Sequence, residues 1–134
     1  MKKTVNINLP ELIILVDDDD TSNFITELMI KSINEETKVH TLSNGKEAME
    51  YFSGGSELPK LVFIDINMPL VNGFEFLDYY SSKEWNNNTK FAIYSSSTRV
   101  EDFEKSKKYN HIVDYIEKPL TIEKMESLMS KLAS

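Results

Sequence analysis

The chain contains no cysteine, which excludes disulfides, thiolate metal sites and a cysteine nucleophile. It also lacks any long apolar run. No segment approaches the ~18 consecutive apolar residues that a membrane-spanning helix needs, so no membrane partner is expected. The opening "MKKTVNINLP" carries two lysines with no apolar stretch behind them; it does not read as a signal peptide, and the expected location is cytoplasmic. Positive charge is scarce as well. Against 22 Asp and Glu stand 15 Lys and Arg, for a formal net charge of −7. The basic residues are scattered among acids rather than gathered in a stripe. Nucleic-acid affinity rests on clustered cations that release counterions from phosphate, so no nucleic-acid partner is expected. No internal repeat or low-complexity linker is visible.

What is present is an alternation of short apolar runs and amphipathic segments over 134 residues, a length that suits one domain. "LIILV" (12–16) and "LVFID" (61–65) are apolar, branched runs of the kind buried on both faces of a sheet. "KVHTL" (38–42), "FAIYS" (91–95) and "IVDYIEK" (112–118) supply three further strand candidates. Between them, "TSNFITELMIKSI" (21–33) gathers Phe24, Ile25, Leu28, Met29 and Ile33 at helical spacing, and "GKEAMEYF" (45–52) does so with Ala48, Met49 and Phe52. "FEFLDYY" (74–80) opens a helix after Gly73, and "VEDFEKSKKY" (100–109) reads as a polar one. Thr121 is expected to cap a last helix with Ile122, Met125, Leu128, Met129 and Leu132 on one face. Five strands alternating with five helices predict an α/β fold: a flavodoxin-like, doubly wound, five-stranded parallel sheet in a three-layer sandwich.

In such sheets ligands sit beyond the carboxyl ends of the strands, where the strand order reverses. Here those ends read "DDDD" (17–20), Asp65, "SSST" (95–98) and Lys118-Pro119. Each has an ordinary explanation alone: acids at a helix start favour the dipole, and Asp19 and Asp20 are expected to do only that. Taken together, carboxylates, a hydroxyl and an ammonium converge on one rim. Crowded carboxylates repel, which raises at least one pKa or calls for a cation, and oxygen ligands with water access suit Mg²⁺. A carboxylate can itself become an aspartyl phosphate, with an ammonium and a hydroxyl holding the phosphoryl oxygens. That makes Asp65 the candidate phosphoacceptor.

The segments "ILVDD" (14–18), "FIDINMPLVNG" (63–73), "YSS" (94–96) and "DYIEKPL" (114–120) resemble the receiver domain of bacterial two-component response regulators, of the free-standing, single-domain, chemotaxis-regulator-like kind. The resemblance covers the chain from about Leu12 onward. It implies an N-terminal arm (1–11), a receiver domain (12–134) and no output domain, since one helix's length follows Lys118. It further implies that Asp65 accepts a phosphoryl group from a sensor histidine kinase or histidine phosphotransfer protein, with Mg²⁺ held by Asp17, Asp18, Asp65 and the Asn67 backbone carbonyl. Ser95 and Lys118 would hold the phosphoryl group. Before phosphorylation Lys118 would pair with Asp65, and the Lys118-Pro119 bond would be cis. Ser95 and Tyr115 would form the switch, remodelling a downstream protein-binding face over residues 100–132. Asn67 and Ser97 would flank the phosphoryl group and tune its lifetime. The resemblance implies a phosphoprotein of signal transduction rather than an enzyme, with slow self-dephosphorylation possible. Neither His40 nor His111 reads as a phosphorelay histidine, and Trp85, in the polar insert 81–90, is not an obvious reporter of phosphorylation.

Three other readings compete. A haloacid-dehalogenase-type hydrolase also uses a strand-end Asp, but wants a second acid where Asn67 stands, and a cap domain. An EF-hand in "DDDDTSNFITEL" fails because Ser22 replaces the glycine at position six and Leu28 the glutamate at position twelve. The remaining alternative is a phosphorylation-independent protein-binding module on the same fold.

Overall fold

The computed structural model describes residues 7–55, 57–83, 88–97 and 99–133; Trp85 lies outside them. Among the described residues ten elements alternate: β1 (Leu12–Val16), α1 (Asp20–Ile33), β2 (Lys38–Leu42), α2 (Gly45–Ser53), β3 (Leu61–Ile64), α3 (Gly73–Ser82), β4 (Lys90–Ser95), α4 (Val100–Ser106), β5 (Ile112–Glu117) and α5 (Ile122–Ala133). All strands are parallel, in the order β2-β1-β3-β4-β5. The expected doubly wound fold is therefore the one observed. Its order reverses at β1, which has β2 on one side and β3 on the other.

Side-chain alternation along the strands splits the core in two. Ile14, Val16, Val62, Ile64, Phe91 and Ile93 pack with Phe52, Phe76 and Tyr80 of α2 and α3. Ile13, Leu15, Leu61, Phe63, Ala92 and Tyr94 pack with Ile30, Met125 and Leu128 of α1 and α5. β1 and β3 are buried throughout, as continuous apolar runs require. The edge strand β2 buries Leu42 and leaves His40 exposed. His111 is half-buried against the Tyr80 ring at 5.0 Å. Ahead of β1, Ile7 and Leu9 join the α1/α5 side of the core.

α1 departs from its expected face. Phe24, Ile25 and Leu28 are exposed, and the buried residues are Asn23, Thr26 and Ile30. Met29 and Ile33 remain half-buried. Counting apolar side chains rotates the helix the wrong way because two inward positions carry polar groups with buried partners. Asn23 Nδ2 donates to the Asp17 carbonyl at 2.9 Å, and Thr26 Oγ1 lies 2.9 Å from the Tyr94 hydroxyl. Asp19 caps α1 by accepting from the Ser22 amide at 3.1 Å, and Thr121 caps α5 by accepting from the Lys124 amide at 3.1 Å.

Candidate functional site

Register brings the acids together. Val16 stands opposite Ile64, so the following residues, Asp17 and Asp65, leave adjacent strands side by side at the point where the strand order reverses. The Asp65 amide donates to the Val16 carbonyl and the Asp17 amide to the Leu42 carbonyl, each at 2.9 Å. Oxygens of Asp17, Asp18 and Asp65 all lie within 4.8 Å of one another. Asp17 and Asp65 are buried, while Asp18 faces solvent.

Lys118 arrives from across the sheet. It follows β5, its amide donates to the Ser95 carbonyl at 2.9 Å, and the Lys118-Pro119 bond is cis as expected. The ammonium lies 2.5 Å from Asp17 Oδ2 and 3.5 Å from Asp65 Oδ2. The expected pairing with Asp65 is thus the longer of two contacts. Asp17 is the less solvated partner, with a side chain 4% exposed against 11% for Asp65, so its charge has more need of a counterion. Each carboxylate also accepts a backbone amide: Asp17 Oδ1 from Asp19 at 3.0 Å, and Asp65 Oδ1 from Asn67 at 3.1 Å.

The electrostatics are those of a site short of positive charge. Burial pushes the Asp65 carboxyl above its usual value; the Asn67 amide and Lys118 oppose this, and the charge of Asp17 adds to it. Burial alone would lower the Lys118 pKa, but the hydrogen bond and charge of Asp17, with the charge of Asp65, raise it above the ordinary lysine value. Three carboxylates and one ammonium leave an excess of negative charge. An all-oxygen donor set with one exposed member fits a hard divalent cation that keeps waters.

The loop after Asp65 is held close to it. A Cβ on Gly73 would lie 2.4 Å from the Asp65 carbonyl oxygen, and the Gly73 amide donates to Ile66 at 3.3 Å. Only glycine allows that approach. Asn72 and Glu75 then start α3 with a capping box.

Ser95 ends β4 buried, and its Oγ accepts from the Ser97 amide at 3.1 Å. Ser97 Oγ donates to Asp102 Oδ2 at 2.8 Å, which also receives Arg99 Nε at 3.3 Å. Burial would raise the Asp102 carboxyl, but Arg99 and Ser97 hold it below the usual range. The Tyr115 hydroxyl donates to the Ser97 carbonyl at 3.2 Å, and its ring meets Phe103 edge-on at 5.9 Å. Ser95, Ser97 and Tyr115 thus belong to one hydrogen-bonded chain leading to α4. Asn67 lies exposed on the loop after Asp65, and Pro119 is also exposed. Sequence reasoning missed Asn23, Thr26, Tyr94 and Asp102. For the first two a signal existed: Asn23 and Thr26 share a helical stripe with the apolar Ile30.

A doubly wound sheet with acids at its reversal point and a lysine arriving from β5 defines the receiver class of α/β protein. The family model described as the response regulator receiver domain matches residues 13–130, and the chain belongs to that family. It is 32% identical over 121 residues to two-component response regulator 24 of Arabidopsis thaliana, covering 89% of this chain and 81% of that protein. With a probable methanogenesis regulatory protein (FilR2) of Methanothrix harundinacea it shares 25% identity over 127 residues, covering 92% and 81%. Among solved structures, a two-component response regulator from Cytophaga hutchinsonii superposes with a TM-score of 0.83 at 26% identity, covering 94% of this chain and 98% of that one. Receiver domains are signalling phosphoacceptors that generally bind Mg²⁺ and interact with histidine kinases or phosphotransfer proteins. Among the described residues no helix is long and apolar enough to cross a membrane.

Proposed function

We propose that this chain is a response regulator that takes a phosphoryl group onto Asp65 from a phosphohistidine donor and changes its α4–β5–α5 face in response. The observation that carries this is the convergence of Asp17, Asp18 and Asp65 with the Lys118 ammonium at the reversal of the sheet. In the reaction, an Asp65 oxygen forms the new O–P bond as the P–N bond of the donor breaks, and the leaving imidazole takes up a proton. Lys118 holds the transferred oxygens, and the Ser95 hydroxyl turns from the Ser97 amide to hydrogen-bond one of them. Ser95 and Ser97 are joined to Tyr115 and Asp102, so that turn reaches α4. Asp17, Asp18, Asp65 and the Asn67 carbonyl would hold Mg²⁺. The cation supplies the positive charge this acidic site lacks, stabilising the transferring phosphoryl group. Asn67 and Ser97 set how long the phosphoryl group survives.

The test is intact-protein mass after incubation with acetyl phosphate, with and without Mg²⁺, for the parent, Asp65→Asn and Asp18→Ala. One phosphoryl adduct is expected in the parent with Mg²⁺, none in Asp65→Asn, and severely reduced uptake in Asp18→Ala. A parent that takes up no phosphoryl group under quick handling refutes the assignment and leaves a binding module on the receiver fold.

A further inference from the structure

The lysine that serves the site stands on a loop, and loop side chains with ammonium heads are costly to hold in one place. Lys118 is nevertheless only 16% exposed, which raises the question of what holds its segment. One end is tied by the Lys118 amide to the Ser95 carbonyl at 2.9 Å. The other is tied two residues on, where the Leu120 amide donates to the Tyr94 hydroxyl at 2.9 Å, buried. The same hydroxyl pairs with Thr26 Oγ1 of α1 at 2.9 Å, also buried. Tyr94 is 4% exposed, and its ring is fixed edge-on against Phe63 at 5.4 Å. The Lys118 ammonium lies over that ring, 5.4 Å from its centre, within the range of a cation–π attraction.

We propose that Tyr94 is a positioning residue for phosphoryl acceptance: its hydroxyl fixes the loop after β5 and its ring supports the Lys118 ammonium. The inference rests on the reading of Asp65 as acceptor and of Lys118 as the group holding the phosphoryl oxygens. Neighbouring residues of one strand then serve the same phosphoryl group from opposite faces of the sheet. Ser95 offers its hydroxyl directly, and Tyr94 acts through the lysine. Phenylalanine at this position would fill the same core space and leave the Leu120 amide without its buried acceptor, freeing the loop.

The experiment compares the parent, Tyr94→Phe and Thr26→Val as full chains. Thr26→Val removes the other partner of the same hydroxyl, so it registers lost stability without touching the loop. Two readouts are taken: the Mg²⁺-dependent rate of phosphoryl uptake from acetyl phosphate, and the NMR shifts of the Lys118 Cε protons in the unphosphorylated protein. In the parent those protons should lie upfield of ordinary lysine because of the Tyr94 ring current. Tyr94→Phe keeps the ring, and should nevertheless return them toward the ordinary value and slow uptake about three- to tenfold, the scale of one buried hydrogen bond. Thr26→Val should keep both the shift and the parental rate. Parental shift and rate in Tyr94→Phe would overturn the proposal, as would equal slowing in Thr26→Val. Unshifted Lys118 protons in the parent would overturn it even if Tyr94→Phe did not fold. A parent that takes up no phosphoryl group refutes the Asp65 assignment instead, and the proton shifts still decide where Tyr94 holds the lysine.

Discussion

Asp65 is placed against its own preference. Burial disfavours its charge, Asp17 repels it, and the Asn67 amide with a shared lysine only partly compensates. Its folded pKa lies above the unfolded value, so its contribution to stability is full below the unfolded pKa and is lost as pH rises through the folded one. Asp65→Asn should therefore melt at a higher temperature than the parent near pH 7 without Mg²⁺. The gap should close as pH falls below the range of an ordinary carboxylate, and Mg²⁺ should raise the parent far more than the variant. A melting series over pH, with and without Mg²⁺, checks all three. "LVFID" followed by a turn did not by itself single Asp65 out; the acids, hydroxyl and lysine at the other strand ends did. That it meets Asp17 was legible from the strand ends, although the two acids lie 48 residues apart; that Lys118 sits nearer Asp17 than Asp65 was not, because it depends on how deeply each is buried.

At the scale of elements, α1 shows where periodicity misleads. Ile30 is fully buried and Leu28 is 55% exposed, yet both are apolar residues of one helix. Ile30→Ala should cost about 2–5 kcal/mol by leaving a cavity, and Leu28→Ala less than about 0.5 kcal/mol, read from denaturant midpoints. A larger loss at Leu28 than at Ile30 would mean that α1 is turned as the apolar count suggested. The loop between β3 and α3 makes a second case. Gly73→Ala would drive a Cβ to 2.4 Å from the Asp65 carbonyl oxygen and 2.9 Å from the Ile66 Cα, both backbone atoms. The variant should lose about 1–3 kcal/mol and take up phosphate more slowly, because relief of the clash displaces Asp65 itself. Unchanged uptake by a folded Gly73→Ala would remove the loop from the account. Both strands of buried apolar residues, the Thr121 cap and Asp19 as an acidic helix start were readable because they depend on neighbours in sequence; that Asp19 also caps α1 through the Ser22 amide goes beyond what was expected of it.

Over the whole molecule, Lys118 links the last strand to the first and third. Its ammonium spans Asp17 and Asp65, and its amide reaches Ser95, so it closes the rim of the sheet. Lys118→Ala should lower stability by roughly 3 kcal/mol without Mg²⁺, since two buried carboxylates lose their shared cation, and Mg²⁺ should restore most of that loss. With Mg²⁺ present it should still fold and take up phosphate on Asp65, at a rate no faster than that of Tyr94→Phe, while the Tyr115 resonances no longer change on phosphorylation. A phosphorylation response at Tyr115 like the parent's would remove Lys118 from the coupling.

Strand and helix order, the parallel sheet and the identity of the strand-end acids were all determined by the sequence itself, since continuous apolar runs, helical spacing and the residues that end each run are local properties of the chain. Tertiary structure decided the rest. It chose which face of α1 turns inward, because only the folded sheet offers the Asp17 carbonyl and the Tyr94 hydroxyl that Asn23 and Thr26 satisfy. It also set Lys118 nearer Asp17 than Asp65. How one ammonium is shared between two carboxylates depends on how deeply each is buried, and burial exists only once the layers have packed.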